Sequence, residues 1–383
     1  MREKNVNSVQ QLHAAGQSVW YDNIQRGLLE NGGLAGMIAR GEIRGVTSNP
    51  TIFMNAITKS QDYDAGLVPL AKAGWSADDI FWQLAIEDIQ RAADLFRRMY
   101  EESGGGDGYV SLEVNPYLAQ DAEGTLAAAK WIWQRVDRPN LMVKIPATKA
   151  GLPAITAAIA AGINVNVTLI FSNERYADVM EAYWKGLEKR VAEGLSISSI
   201  ASVASFFVSR VDTKVDGHLM GMIDHGGTQS EKAGSLLGKA AIANARLAYA
   251  DFKEAFAAHR FQALKAKGAH VQRPLWASTS TKNPKYRDVV YVEELIGPDT
   301  VNTMPPQTLA AFLDHGQVHP GSLEENVAEA EQVIADLEAL GISMNSVTGE
   351  LEQEGVKSFA DAFTALLAAV ETRRKTVILE ATA

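Results

Sequence analysis

Along the chain, short runs rich in β-branched and aliphatic residues alternate with longer stretches in which apolar positions recur every three or four residues. The short runs are 18–22, 43–49, 109–115, 140–146, 164–170, 199–205, 273–280 and 300–304. Their length and composition predict strands. Between 76 and 102, Ile80, Leu84, Ile89, Ala92, Phe96 and Met99 share one helical face, and Ser76 with Asp79 has capping-box spacing. The stretch 173–193 repeats the pattern through Tyr176, Val179, Met180, Tyr183, Leu187 and Val191. An uncharged window, 151–171, is long enough to cross a bilayer, but Pro153, Gly162, Asn164 and Asn166 interrupt it. It reads as a buried helix running into a buried strand.

Strands that alternate with helices predict a parallel sheet, and eight such units predict an α/β fold of the (β/α)8 TIM-barrel type. The expected organisation is one barrel domain over 1–383, with helical insertions near 55–105 and 212–270. Terminal helices are expected within 322–380, one at 322–340 opening with Ser322 and Glu325, the other at 358–377.

Composition narrows the function classes. The 383 residues carry 36 Lys plus Arg against 46 Asp plus Glu, a formal charge of −10. An acidic chain without a basic run disfavours nucleic-acid or membrane-surface partners. The absence of cysteine removes thiolate chemistry and disulfides. The charged start from Met1 to Ser8 is followed by no apolar segment, which predicts no signal peptide and a cytoplasmic protein. Three tempting motifs fail: Gly234 to Lys239 is one residue short of a P-loop, and no GxGxxG follows the first strand. His315 and His319 have metal-ligand spacing, but Gly316 between them and Pro320 after them favour a surface loop.

The informative feature is polar residues inside the strands. Side chains alternate faces along a strand, so Ser111, Glu113 and Asn115 oppose Val110, Leu112 and Val114. Lys144 likewise opposes Val143 and Ile145, and Asn166 and Thr168 oppose Val165, Val167 and Leu169. With helices covering the outside of a parallel barrel, that polar face must look inward, where unpaired charges cost several kcal/mol. Either these groups form a satisfied ion pair, Lys144 with Glu113, or they form a site. A lysine near a strand's end sits where barrel active sites form. Burial penalises a lysine's cation and so favours the neutral amine, which attacks ketones to form a Schiff base. Both readings stand on the strand pattern alone.

At these residues the chain resembles the transaldolase family, in its longer bacterial form. The likeness runs from Trp20-Tyr21-Asp22 through Gly45-Val46-Thr47-Ser48-Asn49-Pro50-Thr51, Ser111-Leu112-Glu113-Val114, Val143-Lys144-Ile145-Pro146-Ala147-Thr148 and Asn164-Val165-Asn166-Val167-Thr168-Leu169 to Asn302-Thr303-Met304-Pro305. Six motifs in order make a specific match. The resemblance implies that Lys144 forms the imine, Asp22 is the acid/base, Glu113 the second carboxylate and Thr168 an orienter of the catalytic water. It implies that Asn49 and Asn166 bind substrate hydroxyls or the imine nitrogen. For the phosphate it implies Ser205, Arg210, Ser280 and Lys282. Here Lys282 replaces an arginine of the family pattern and supplies charge without a bidentate fork.

The implied reaction is transfer of a dihydroxyacetone unit from sedoheptulose 7-phosphate or fructose 6-phosphate to glyceraldehyde 3-phosphate or erythrose 4-phosphate, in the pentose phosphate pathway. It needs no metal or cofactor, because the iminium is the electron sink. Two alternatives remain open: a class I aldolase resembling fructose-6-phosphate aldolase, and a noncatalytic sugar-phosphate-binding barrel. Phe207, apolar where related aldolases can carry a hydroxyl, leans toward transfer. Sugar phosphates are the expected partners, and assembly into a homo-oligomer is left open.

Overall fold

The computed structural model describes residues 6–382; the charged start at Met1 to Asn5 lies outside them. Eight strands pair in chain order and close on themselves: β1 (Gln17–Asp22), β2 (Gly45–Thr47), β3 (Tyr109–Glu113), β4 (Leu141–Pro146), β5 (Val165–Ile170), β6 (Ser202–Phe207), β7 (Arg273–Ala277) and β8 (Thr300–Met304). All neighbours are parallel, β1 pairing with both β2 and β8. This is the expected (β/α)8 barrel in a single domain. Each expected run contains or overlaps one strand, and the helix at 76–102 is found as Ala77–Glu102 with Ser76 as its cap.

Closure depends on where bulk sits. A Cβ at Gly45 would lie 2.7–2.8 Å from Trp20 ring atoms, so glycine on β2 is what lets the indole fill the lower barrel. Beside it, Asp107 is saturated. It accepts from Ser18 Oγ at 2.5 Å, Trp20 Nε1 at 3.1 Å, Arg44 Nε at 2.7 Å and Arg273 Nη1 at 3.5 Å. Burial pushes its carboxyl up, but Arg273, Ser18 and Arg44 together hold it below the usual range. Arg273 also donates to Gly106 O, Ser18 Oγ and Thr300 O, so this network ties the starts of β1, β2, β3, β7 and β8 together at the N-terminal mouth. Conserving stability at this face leaves the opposite mouth for chemistry.

The terminal segment differs from expectation. Residues Ser322–Glu324 form one 3-10 turn, Asn326 takes a left-handed conformation at φ 56°, and the helix runs only over Val327–Ala339. The last helix starts at Met344 rather than Ser358 and continues to Thr382. Gly349 and Gly355 weaken the helical pattern in sequence, since each costs about 1 kcal/mol against alanine. Packing compensates at Gly355, where a Cβ would lie 2.9 Å from Leu169 Cδ2. Leu169 is itself in the left-handed region (φ 61°), at the point where the β5–β6 register shifts. The helix thereby passes close over the end of β5, and Phe363 anchors it edge-on against Phe81 and Tyr117. Among the described residues, no helix is long and apolar enough to cross a membrane.

Candidate active site

A cavity of about 260 Å³ opens at the C-terminal ends of the strands. Its walls include Asp22, Asn49, Lys144, Ser205, Arg210, Ser280 and Lys282, with Thr47, Phe207 and Thr303, and the terminal helix contributes Ser358 and Phe359. Seven of the ten residues singled out from sequence therefore meet on one surface. Glu113, Asn166 and Thr168 lie in the buried layer behind it, at 5%, 0% and 0% exposure.

Lys144 stands on β4 between β3 and β5, level with Glu113 and Asn166. Its Nζ donates to the Ser48 carbonyl at 3.2 Å, lies 3.7 Å from Glu113 Oε2 and sits 5.6 Å from the centroid of the Phe359 ring. Burial pushes Glu113 up to about 7, with Lys144 opposing the shift. Among the described residues, neither Glu113 oxygen has a hydrogen-bond partner, nor does the Thr168 hydroxyl. A carboxyl poised near neutrality beside an amine is suited to passing protons.

Asp22 ends β1 and is held differently. Thr47 Oγ1 donates to Asp22 Oδ1 at 2.7 Å and lies 2.6 Å from Thr303 Oγ1, so two hydroxyls from β2 and β8 orient this carboxylate. Burial pushes its carboxyl up, countered by Lys144, the Thr47 bond and Lys282. The two carboxylates thus differ in surroundings: one is hydrogen-bonded at the cavity wall, the other unbonded beside the amine.

The far end of the cavity is cationic. Arg210 stands in the first turn of the Ser209–His225 helix, 5.4 Å over the Phe207 ring, and Lys282 Nζ donates to Ser280 Oγ at 2.6 Å. Burial lowers the Arg210 guanidinium, only partly offset by Glu354, and burial and then Arg210 lower the Lys282 amine. A guanidinium that lowers a neighbouring amine is an arrangement suited to an anion, whose arrival would relieve the repulsion.

Two side chains have local tasks besides lining or backing the cavity. Asn49 caps the Pro50–Lys59 helix, its Oδ1 accepting from Ile52 N at 3.0 Å, which leaves its amide N–H groups for a ligand. Asn166 donates to Ser111 Oγ at 3.1 Å and accepts from Ser205 Oγ at 2.7 Å. Ser205 is therefore bonded toward the barrel interior rather than to Arg210 or Lys282.

A family model described as Transaldolase/Fructose-6-phosphate aldolase matches residues 19–370. The chain belongs to that family. It is 51% identical over 364 residues to a protein named Transaldolase from Saccharopolyspora erythraea, covering 95% of this chain and 97% of the relative. It is 49% identical to Transaldolase 1 of Streptomyces avermitilis, covering 96% of each, and 50% identical to the Transaldolase of Thermobifida fusca, covering 94% and 96%.

Sequence reasoning gave no role to Thr47, Thr303 or Phe359 in this transaldolase-family cavity. Thr47 and Thr303 were legible in principle, since each lies inside a quoted motif and Thr47 follows Gly45 by two on one strand face. Phe359 carried no such signal: helical periodicity does not say which turn of a terminal helix crosses the barrel mouth. His315 is the last residue of the Pro306–His315 helix and pairs with Asp288 and Asp314, while Gly316 ends the helix and His319 lies beyond it, so no helix carries both histidines.

Proposed function

We propose that the enzyme transfers a dihydroxyacetone unit between sugar phosphates through an imine on Lys144. The observation that carries this reading is one cavity lined by an amine, a carboxylate and a cationic far end, with a second carboxylate of unlike surroundings buried behind it, 3.7 Å from the amine. Lys144 Nζ attacks the C2 carbonyl of sedoheptulose 7-phosphate or fructose 6-phosphate. Glu113 takes one proton from the Lys144 ammonium to free the amine for attack; in the adduct a proton then passes from nitrogen to the alkoxide through a water that Thr168 orients, and Glu113 gives its proton to the carbinolamine hydroxyl, which leaves as water while the nitrogen lone pair forms the iminium. Asp22 then takes the C4 hydroxyl proton, the C3–C4 bond breaks, and its electron pair moves into the iminium to give an enamine. Glyceraldehyde 3-phosphate or erythrose 4-phosphate departs. An incoming aldehyde is attacked by the enamine carbon, Asp22 returns the proton to the new hydroxyl, and hydrolysis frees Lys144.

Arg210, Lys282 and Ser280 hold the phosphate, with Ser205 acting beside Asn166, and Asn49 and Asn166 orient hydroxyls or the imine nitrogen. The same reading places the chain in the pentose phosphate pathway of the cytoplasm, as one barrel domain over 1–383 with insertions near 55–105 and 212–270. It assigns no nucleic-acid partner and allows a homo-oligomer. Phe359, its ring centroid 5.6 Å from Lys144 Nζ, gives the enamine side of the cavity an apolar wall, which favours transfer to an aldehyde over protonation by water. The test is product analysis from fructose 6-phosphate with and without erythrose 4-phosphate. Sedoheptulose 7-phosphate should form only with acceptor, and free dihydroxyacetone should be minor. Dihydroxyacetone as the main product in both arms would make the enzyme an aldolase.

A further inference from the structure

The two elements that carry the cationic end of the cavity are not adjacent in sequence, yet they are joined by a repeated device. Arg210 lies on the Ser209–His225 helix, whereas Ser280 and Lys282 lie in the segment after β7. One helical turn apart on that helix, Asp212 and Asp216 are each buried, at 2% and 9% exposure, and neither has an ion-pair partner among the described residues. Instead each binds one phenol and one backbone amide. Tyr291 donates its hydroxyl to Asp212 Oδ2 at 2.7 Å while Ala241 N donates to Oδ1 at 2.7 Å. Tyr286 donates to Asp216 Oδ2 at 2.6 Å while Gly238 N donates to Oδ1 at 2.9 Å.

Both clasps have the same three parts: a carboxylate from the arginine's helix, a phenol from the lysine's segment and a backbone amide, Ala241 N in the first turn of the Ala240–Ala257 helix or Gly238 N just before it. Gly238, at φ 70°, permits the second, since a Cβ there would lie 2.8 Å from the Tyr286 ring. A third tie lies nearer the cavity, where Ser209 N donates to Ser278 O at 3.0 Å and the two serine hydroxyls lie 3.0 Å apart. Hydrogen bonding must offset the burial of two carboxylates without counter-ions, and apolar residues would fill the same space at no such cost. What the clasps add is a fixed separation between two like charges that would otherwise move apart.

We propose that Asp212 and Asp216, through Tyr291 and Tyr286, are positioning residues that set the gap between Arg210 and Lys282 and thereby the preference for ketoses with a terminal phosphate. This rests on the reading of that cationic end as the phosphate site. Tyr286→Phe and Asp216→Asn should each raise KM for fructose 6-phosphate about 5- to 10-fold, the scale of one hydrogen bond to a carboxylate, with kcat within about twofold. Borohydride trapping of dihydroxyacetone, which has no phosphate, should keep its wild-type rate. Tyr183→Phe removes a comparable phenol bond, to His270 O at 2.8 Å, far from the cavity, and should leave KM unchanged whatever it does to Tm.

Tyr286 is only half buried, so Tyr286→Phe keeps the test decisive should Asp216→Asn fail to fold. Unchanged KM in folded Tyr286→Phe, or a parallel fall of kcat and dihydroxyacetone trapping, overturns the positioning role. Wild-type protein that neither traps dihydroxyacetone nor turns over fructose 6-phosphate overturns the underlying reading instead.

Discussion

Asp22→Asn separates the proton-transfer role of this carboxylate from a merely structural one. Asparagine keeps an oxygen able to accept the 2.7 Å bond from Thr47, so the Thr303–Thr47–Asp22 line of hydroxyls stays oriented. What is lost is the capacity to take a proton. A missing general base costs about 10²- to 10⁴-fold, or roughly 2.7–5.4 kcal/mol at 1.36 kcal/mol per decade. Because burial raises the Asp22 carboxyl, ionising it costs the folded protein free energy, and the neutral amide should hold or raise Tm at pH 7. The assay is a time course with fructose 6-phosphate that follows both the borohydride-trapped adduct and released glyceraldehyde 3-phosphate. The adduct should form at a near-normal rate while aldehyde release falls by the stated factor. If Asp22 served only to hold Lys144, adduct formation would fall in step. Near-normal aldehyde release would place the catalytic base elsewhere.

Four further outcomes follow from the same geometry. Glu113→Gln should slow adduct formation itself, by about 10²-fold or more in rapid-mixing experiments, because its role is in making and breaking the carbinolamine. Since Glu113 is pushed from 4.5 up to about 7, its contribution to stability is complete below pH 4.5 and is lost as pH rises through 7; thermal melts of Glu113→Gln should therefore lose less Tm between pH 5 and pH 7.5 than wild type does. Arg210→Gln should raise KM for fructose 6-phosphate at least tenfold, a charge-assisted contact being worth about 1.5–3 kcal/mol, while dihydroxyacetone trapping is spared. Gly355→Val inserts bulk 2.9 Å from Leu169 and should cost about 1–3 kcal/mol in denaturant melts.

The barrel was legible because its strands carry two independent signals, β-rich composition and a polar parity that only an enclosed face explains. Lys144, Glu113, Asn166 and Thr168 lie inward as that parity requires. Strand ends were less legible. The second run was read to Asn49, but the strand stops at Thr47 because the Ser48 carbonyl accepts from Lys144 and Asn49 turns to cap a helix. The sixth run was read from 199, but β6 begins at Ser202 and continues to Phe207, which leaves Ser205 in mid-strand beside Asn166. The seventh was read to 280, yet Ser278 at φ 56° ends it and releases Ser280 and Lys282 into the segment held by Tyr286. These misses share a cause: contacts between elements far apart in sequence leave no local periodicity. The Asp107 network at the N-terminal mouth and the two carboxylate–phenol clasps were invisible for the same reason, since each charged or phenolic residue alone reads as surface.

The central claim is that one amine among the lysines is the nucleophile. Incubating the enzyme with fructose 6-phosphate and borohydride, then mapping peptides by mass, tests it directly. The account predicts a reduced three-carbon adduct on Lys144 and on no other lysine, and its complete loss in Lys144→Arg protein that remains folded, because arginine stays charged and forms no such imine. An adduct on Lys130 or Lys149, or one that persists in Lys144→Arg, would contradict it.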